Sequence, residues 1–294
     1  VKAENKNYQL SEGKNLISFS GGRSSAYMLY QILQENKGKC PDNAVIVFAN
    51  TGREMPQTLD FVYQCSIRWG VNIVWLEHNY DDEGCATYDI VDYESASRNG
   101  EPFSRLIDKR KFLPNAVARF CTQDLKIRTF ERYMKRELGF REYTNVIGIR
   151  ADEPRRIAKA AAANEIQWKE KKYPRVSELL LAKNSVTRFD VAEFWRNSDF
   201  DLELVNDSGS TPMGNCDLCF LKGISKISSI IRDYPDRAEW WLEQEEKVAK
   251  GCNSVGVSSD NASFIKYIPY KSLAGYANEN FFDDDAMSCI GCTD

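Results

Sequence analysis

Nine cysteines and a single histidine set the chemistry open to this chain. Four of the cysteines form two Cys-x-x-Cys pairs, Cys216/Cys219 and Cys289/Cys292. That spacing lets two thiolates reach one ion, and Gly291 eases the second turn. Four thiolates suit tetrahedral zinc or a 4Fe–4S cluster. Cys121 joins them as a candidate because it opens a basic helix, whose N-terminus would stabilise its thiolate. A cluster, a structural zinc site, and redox-active or plain thiols all fit this pattern. Cys40, Cys65, Cys85 and Cys252 lack paired spacing and read as small buried hydrophobes. His78 stands alone, which excludes metal sites with two His ligands and leaves one residue for any serine–histidine system.

A second set of residues is suited to an anion. Ser20-Gly21-Gly22-Arg23-Ser24-Ser25 follows the apolar run Leu16-Ile17-Ser18-Phe19 and precedes a helical pattern with apolar Met28, Leu29, Ile32 and Leu33. A strand, a tight glycine turn and a helix present backbone N–H groups and the positive helix end to a phosphate. The serines add hydroxyl donors, and Arg23 adds a forked cation. No Gly-x-x-x-x-Gly-Lys-Ser/Thr occurs, which excludes the common P-loop. Further on, Arg150, Arg155 and Arg156 follow the strand-like run Tyr143–Ile149 and are suited to bind phosphate or sulfate through forked hydrogen bonds.

Both sets need a scaffold. Ala44–Asn50 and Val71–Glu77 read as buried strands, with a helix from Pro56 between them. Strands alternating with helices imply βαβ units and a Rossmann-like, doubly wound, mainly parallel α/β sheet. Ligands of such sheets sit beyond the carboxyl ends of strands, where Ser20–Ser25, Thr51–Arg53 and Arg150–Arg156 all fall. Residues 78–114 have poor periodicity and read as a long loop or insertion. A basic helix is expected from Cys121 to about Leu138, another over 157–164, and one near 189–195 capped by Asp190. After a loop at 209–212, helices are expected to about Arg232 and from Asp236 to about Lys250.

Composition narrows the class. Hydrophobic and charged fractions of 43% and 28% describe a globular protein, and no apolar run approaches the roughly 18 residues of a membrane helix. The polar N-terminus lacks a signal-peptide core, so the cytoplasm is the expected location. An odd cysteine count fits metal or redox chemistry better than a disulfide framework. Net charge is −4, yet residues 105–175 carry 19 Lys/Arg against 9 Asp/Glu. That segment suits a nucleotide, an RNA or DNA backbone, or simply exposed basic helices.

Taken together these motifs resemble a known family. Ser20–Ser25 is similar to the PP-loop of the adenine nucleotide α-hydrolase superfamily. Thr51-Gly52-Arg53-Glu54-Met55-Pro56-Gln57-Thr58 resembles the Thr-Gly-x-x-x-Pro-Glu-Thr element of its phosphoadenylyl-sulfate (PAPS) reductase branch. Gly148–Arg156 is similar to that branch's Gly-x-Arg-x-x-Glu-Ser-x-x-Arg segment, and Asp190–Trp195 resembles its Asp-Val-x-x-Tyr helix. The chain also resembles reductase-like proteins carried by phages and mobile elements.

The resemblance implies a nucleotide-binding α/β domain over 1–205 and a mostly helical region over 206–294 bearing the Cys-x-x-Cys pairs. It implies an adenine nucleotide (ATP, PAPS or adenylyl-sulfate) held by Ser20, Gly21, Gly22, Arg23, Ser24, Ser25, Thr51, Gly52, Arg53, Lys126, Arg150, Arg155 and Arg156. It implies 4Fe–4S ligation by Cys121, Cys216 and Cys219, with Phe120 standing where the family has another cysteine and Cys292 or Cys289 supplying the fourth thiolate. Zinc is the alternative. In the reductases a C-terminal cysteine is the nucleophile; Cys289 holds the nearest position, with Arg150 steadying the anion and a thiol donor supplying electrons. Arg23-Ser24 replaces the Lys-Asp found in members that activate substrates with ATP. Three functions follow: a sulfonucleotide reductase-like enzyme, an ATP-dependent sulfur transferase acting on nucleic acid, and a non-catalytic nucleotide- or zinc-binding protein.

Overall fold

The computed structural model describes residues 7–206, 209, 211–254 and 262–276 of the 294-residue chain. Its centre is a six-stranded sheet in the order β4-β3-β2-β1-β5-β6. The strands are β1 (Asn15–Phe19), β2 (Ala44–Asn50), β3 (Ile73–Tyr80), β4 (Ala86–Val91), β5 (Tyr143–Ile147) and β6 (Arg175–Glu178). All neighbours pair in parallel except β3 and β4, whose register sets His78 opposite Tyr88. The interior strand β2, Ala-Val-Ile-Val-Phe-Ala-Asn, is apolar almost throughout because helices cover both of its faces. The order reverses at β1, whose neighbours are β2 on one side and β5 on the other. A crevice therefore opens between the carboxyl ends of β1 and β5.

The helices are α1 (Arg23–Glu35), α2 (Pro56–Trp69), α3 (Glu101–Arg110), α4 (Arg128–Arg136), α5 (Pro154–Glu170), α6 (Leu180–Lys183), α7 (Arg188–Arg196), α8 (Ile224–Asp233), α9 (Pro235–Ser254) and α10 (Tyr270–Tyr276). Helix α2 begins with Pro56 and ends at Gly70, whose φ of 62° provides the left-handed cap. A smaller core of Leu16, Val47, Ala49 and Leu76 meets Phe130, Tyr133 and Met134 of α4. The larger core joins Ile17, Phe48 and Trp75 to α1, α2 and α7, and continues without a break into Leu218, Ile227, Trp241 and Tyr270. The helices after residue 205 thus pack directly on the α/β layer. No helix among the described residues is long and apolar enough to cross a membrane.

Several local expectations are corrected. The segment 78–114 is not one loop: it holds the end of β3, the hairpin strand β4 and helix α3. Strand β4 is half-buried at an edge and mixes Thr, Tyr and Asp with Ile and Val, so it shows no clean alternation. The helix after Cys121 starts as a π-helical turn, Thr122–Ile127, before α4. Helix α7 is capped by Thr187, and Asp190 is the third helical residue that completes the capping box.

Candidate active site

The glycine loop and the end of β5 are in backbone contact. A Cβ on Gly148 would lie 3.1 Å from the Ser25 Cα and 3.3 Å from the Ser24 carbonyl carbon, so any larger residue would push the two segments apart by a few tenths of an ångström. Gly21 has φ of +77°, and a Cβ there would meet Thr58 Cγ2 at 2.7 Å. The turn it makes points the start of α1 into the crevice. Among the described residues no side chain caps that helix end, although Arg23, Ser24 and Ser25 are all buried. Within the loop, Ser25 Oγ donates to the Gly22 carbonyl at 2.9 Å and lies 2.9 Å from Ser20 Oγ. The loop is thus braced from inside while the N-terminus of α1 stays open to an anion.

From β5, Arg150 reaches back to the loop: its Nη1 donates to Ser24 Oγ at 2.8 Å. Glu153 connects Arg150 to Arg156, accepting the Arg150 backbone N–H at 2.8 Å through one oxygen and the Arg156 guanidinium through the other. Arg156 is 3% exposed, and its Nε and Nη2 have no acceptor among the described residues. A buried cation with two N–H groups left open is well suited to an oxyanion. Arg155, the third arginine of this strand end, is exposed on α5.

Two arginines expected at the ligand serve the scaffold instead. Arg23 is 3% exposed and donates to both oxygens of Asp201 at 2.8 Å, to Thr211 Oγ1 at 2.9 Å, and to the Leu202 and Leu204 carbonyls. Its fork ties Asp201, Leu202, Leu204 and Thr211 beneath the loop, which corrects the view of Arg23 as a cation facing the anion. Arg53 likewise turns away from the crevice, donating to Asp217 Oδ2 at 2.6 Å and to the Arg237 carbonyl at 2.8 Å, with its guanidinium over the Trp240 ring.

That arrangement brings the first Cys-x-x-Cys to the end of β2. Asp217, between the two cysteines, is fully buried and also accepts from Arg237 Nε at 2.7 Å and Trp241 Nε1 at 2.8 Å. Its backbone N–H donates to the Arg53 carbonyl at 2.8 Å, and Cys216 forms an antiparallel bridge with Glu54. Cys216 Sγ therefore lies 3.5 Å from Thr51 Oγ1. Glu54 is buried, its oxygens 2.8 and 2.9 Å from Thr51 Oγ1, and Lys126 Nζ lies 4.0 Å from it. Gly52 packs against Gly100, where a Cβ would stand 2.8 Å from the Gly100 nitrogen.

Among the described residues, no three His, Cys, Asp or Glu side chains gather as a metal-ligand set. Cys121 and Cys219 are half-buried, and Cys121 packs against the larger core. Cys289 and Cys292 lie outside the described residues. Burial pushes the Cys65 thiol well above its ordinary range and Cys40 up to about 11, which keeps both protonated and out of thiolate chemistry. A groove of about 930 Å³ lined by Lys14, Tyr143, Ile157 and Trp168 opens at the amino ends of β1 and β5, the far end of the sheet from the crevice.

Sequence reasoning missed the acidic anchors Glu54, Glu153, Asp201 and Asp217. A hint existed for Asp217, a charge set between two cysteines and followed by apolar Leu218 and Phe220.

Comparison with known proteins agrees with this geometry. The chain is 30% identical over 225 residues to the uncharacterized nin region protein ORF290 of Escherichia phage lambda, covering 74% of this chain and 70% of that protein. A model of the phosphoadenosine phosphosulfate reductase domain matches residues 14–203, from β1 through α7 and short of the first Cys-x-x-Cys. With its glycine loop and the β5 arginines within that match, the chain belongs to the phosphoadenosine phosphosulfate reductase domain family.

Proposed function

We propose that this chain binds an adenylyl-sulfate or its 3′-phosphorylated form in the β1/β5 crevice and transfers the sulfonate to a cysteine thiol. The observation that carries this reading is Arg156, buried with two open N–H groups and linked through Glu153 to Arg150, which itself donates to the loop. The two guanidinium groups and the uncapped start of α1 would hold the phosphate–sulfate anhydride. Lys126 would lower the charge on its outer oxygens.

The thiolate of Cys289 is the proposed nucleophile. Its sulfur would attack the sulfate sulfur, forming an S–S bond as the S–O bond to the phosphate breaks, and the nucleotide would leave with the electron pair. A dithiol donor would then attack the cysteine sulfur, releasing sulfite as its own two thiols oxidise to a disulfide. Arg150 would stabilise the charge that builds on the leaving phosphate. Incubating the protein with sulfur-labelled nucleotide and a dithiol should yield labelled sulfite. Bound nucleotide with no sulfite above background would refute the transfer step.

Cys216 and Cys219 provide two thiolates toward a 4Fe–4S cluster or zinc, and Cys121 with Cys292 would have to complete the set. Such a group, when bound, would cross-link the Cys216–Cys219 turn to the helix start at Cys121 and hold that turn beside Thr51. Iron and zinc counts on anaerobically purified protein test this part by itself.

The exposed basic residues of α3 and α4 support a second reading, ATP-dependent sulfur transfer to RNA or DNA. Release of AMP and pyrophosphate on addition of nucleic acid would favour it. The commitment of Arg23 to Asp201 counts against it, because that position would otherwise offer its cation to ATP.

A further inference from the structure

We propose a second anion site, apart from the β1/β5 crevice, in which His78, Arg105 and Arg132 take a dianionic phosphate at the carboxyl end of β3. Three elements converge there: α3 brings Arg105 and Arg110, the π-helical turn brings Asp124, and α4 brings Arg128 and Arg132. His78 lies beneath them on β3, 1% exposed, and among the described residues neither ring nitrogen has a hydrogen-bond partner. Arg105 Nη2 donates to the His78 carbonyl at 3.3 Å, yet its buried Nε has no acceptor among those residues, and the same holds for Arg132 Nη1. Buried donors left without acceptors are costly and uncommon in folded proteins. Three such donors in one place, Arg105 Nε, Arg132 Nη1 and the protonated ring nitrogen of His78, point to a missing acceptor.

The charge balance identifies the class of that acceptor. Asp124, 4% exposed, is shared by Arg110 at 2.6 Å and Arg128 at 2.7 Å, so the local carboxylate is already committed to two guanidinium groups. Among the described residues neither Arg105 nor Arg132 makes a direct ion pair with it, and Arg132 feels its charge only at longer range. Burial and then the Arg132 charge bring the His78 pKa down to about 4, so its ring is neutral near pH 7 and one nitrogen still carries a proton to donate. Two guanidinium N–H groups and one imidazole N–H fit a tetrahedral oxyanion. The excess positive charge favours a doubly charged phosphate, and Arg110 and Arg128, 40% and 46% exposed, form the rim through which it would enter. A π-helical turn at this point is in keeping with a ligand site. The phosphate can be free or carried as a terminal monoester.

His78 is the chain's sole histidine, so both ring nitrogens of histidine-labelled full-length protein report on it alone. Titration with inorganic phosphate at constant ionic strength should move these ¹⁵N signals saturably, whereas chloride should not. Arg132→Gln and Arg105→Gln should each weaken the response by about tenfold or more, and Arg150→Ala should leave it intact. Should Arg132→Gln not fold, Arg105→Lys keeps the charge, removes the Nε donor and should give the same weakening. A single-stranded oligonucleotide with a 5′-phosphate, compared with the same strand without it, separates a carried phosphate from the free ion. No shift beyond that of chloride, or a shift that survives both Gln variants, would mean that water satisfies these groups and would overturn the site. A shift lost in Arg150→Ala would place the phosphate in the nucleotide crevice and would overturn it too.

Discussion

Asp217→Asn should damage the protein more than any exposed charge change of the same size. The Asp217 carboxylate is fully buried; Oδ2 accepts from Arg53 and Arg237, and Oδ1 accepts from Trp241 Nε1 and the Leu218 backbone N–H. An asparagine can keep the Oδ1 bonds, but its NH₂ then faces two guanidinium donors. Arg53, 4% exposed, would be left as a buried charge without its counter-ion. Removing one partner of such a pair costs about 3–5 kcal/mol. By contrast, Asp199→Asn breaks an ion pair with Arg68 whose side chains are 80% and 40% exposed, a contact worth at most about 1 kcal/mol. Urea unfolding followed by tryptophan fluorescence, with Trp241 beside the site, measures both. Because Asp217 also holds Cys216 against Thr51, its variant should lose reactivity at Cys216 in parallel with stability. An Asp217→Asn midpoint within about 1 kcal/mol of wild type would refute the claim that this ion cluster docks the Cys-x-x-Cys.

Three other outcomes follow from the same packing. Arg23→Lys cannot satisfy Asp201, Thr211 and two carbonyls with a single ammonium, so it should destabilise the fold by about 1–3 kcal/mol while leaving nucleotide affinity nearly unchanged; calorimetry showing lost affinity at full stability would return Arg23 to the ligand. Gly148→Ala places a methyl 3.1–3.3 Å from the backbone of Ser24 and Ser25 and should lower both thermal stability, by about 1–3 kcal/mol, and nucleotide affinity. A melting temperature and affinity equal to wild type would contradict the close approach. Glu245, 6% exposed, accepts the backbone N–H groups of Phe264 and Tyr270, and burial raises its pKa to about 7. The unfolded chain releases this proton near pH 4.3 and the folded chain near 7, so stability should fall across that window by on the order of 3 kcal/mol. Urea midpoints of wild type against Glu245→Gln from pH 4.5 to 8 should show the decline in wild type alone.

The three strand-end elements were legible in the sequence because each pairs an apolar run with glycine or arginine at a fixed offset, and the parallel core followed from Ala44–Asn50 and its neighbours. The direction of each arginine was not legible. Arg23, Arg53 and Arg150 all follow parallel strands, yet only Arg150 faces the loop, because Asp201 and Asp217 claim the other two from far along the chain. Separations of 178 and 164 residues leave no local pattern to read. Strand β4 was missed for a different reason, since an edge hairpin with one half-buried face needs no strong alternation. The His78 cluster was hidden in the same way: its members come from β3, α3 and α4 and meet only in the folded chain.

The central claim is that the β1/β5 crevice holds a sulfonucleotide through Arg150 and Arg156. Titration calorimetry of adenylyl-sulfate and its 3′-phosphorylated form against wild type and Arg156→Gln tests it most directly. Saturable binding by wild type, weakened roughly tenfold to a hundredfold in a folded Arg156→Gln variant, is the predicted result. Equal affinity in the two proteins, or no binding of either nucleotide to wild type, would contradict it.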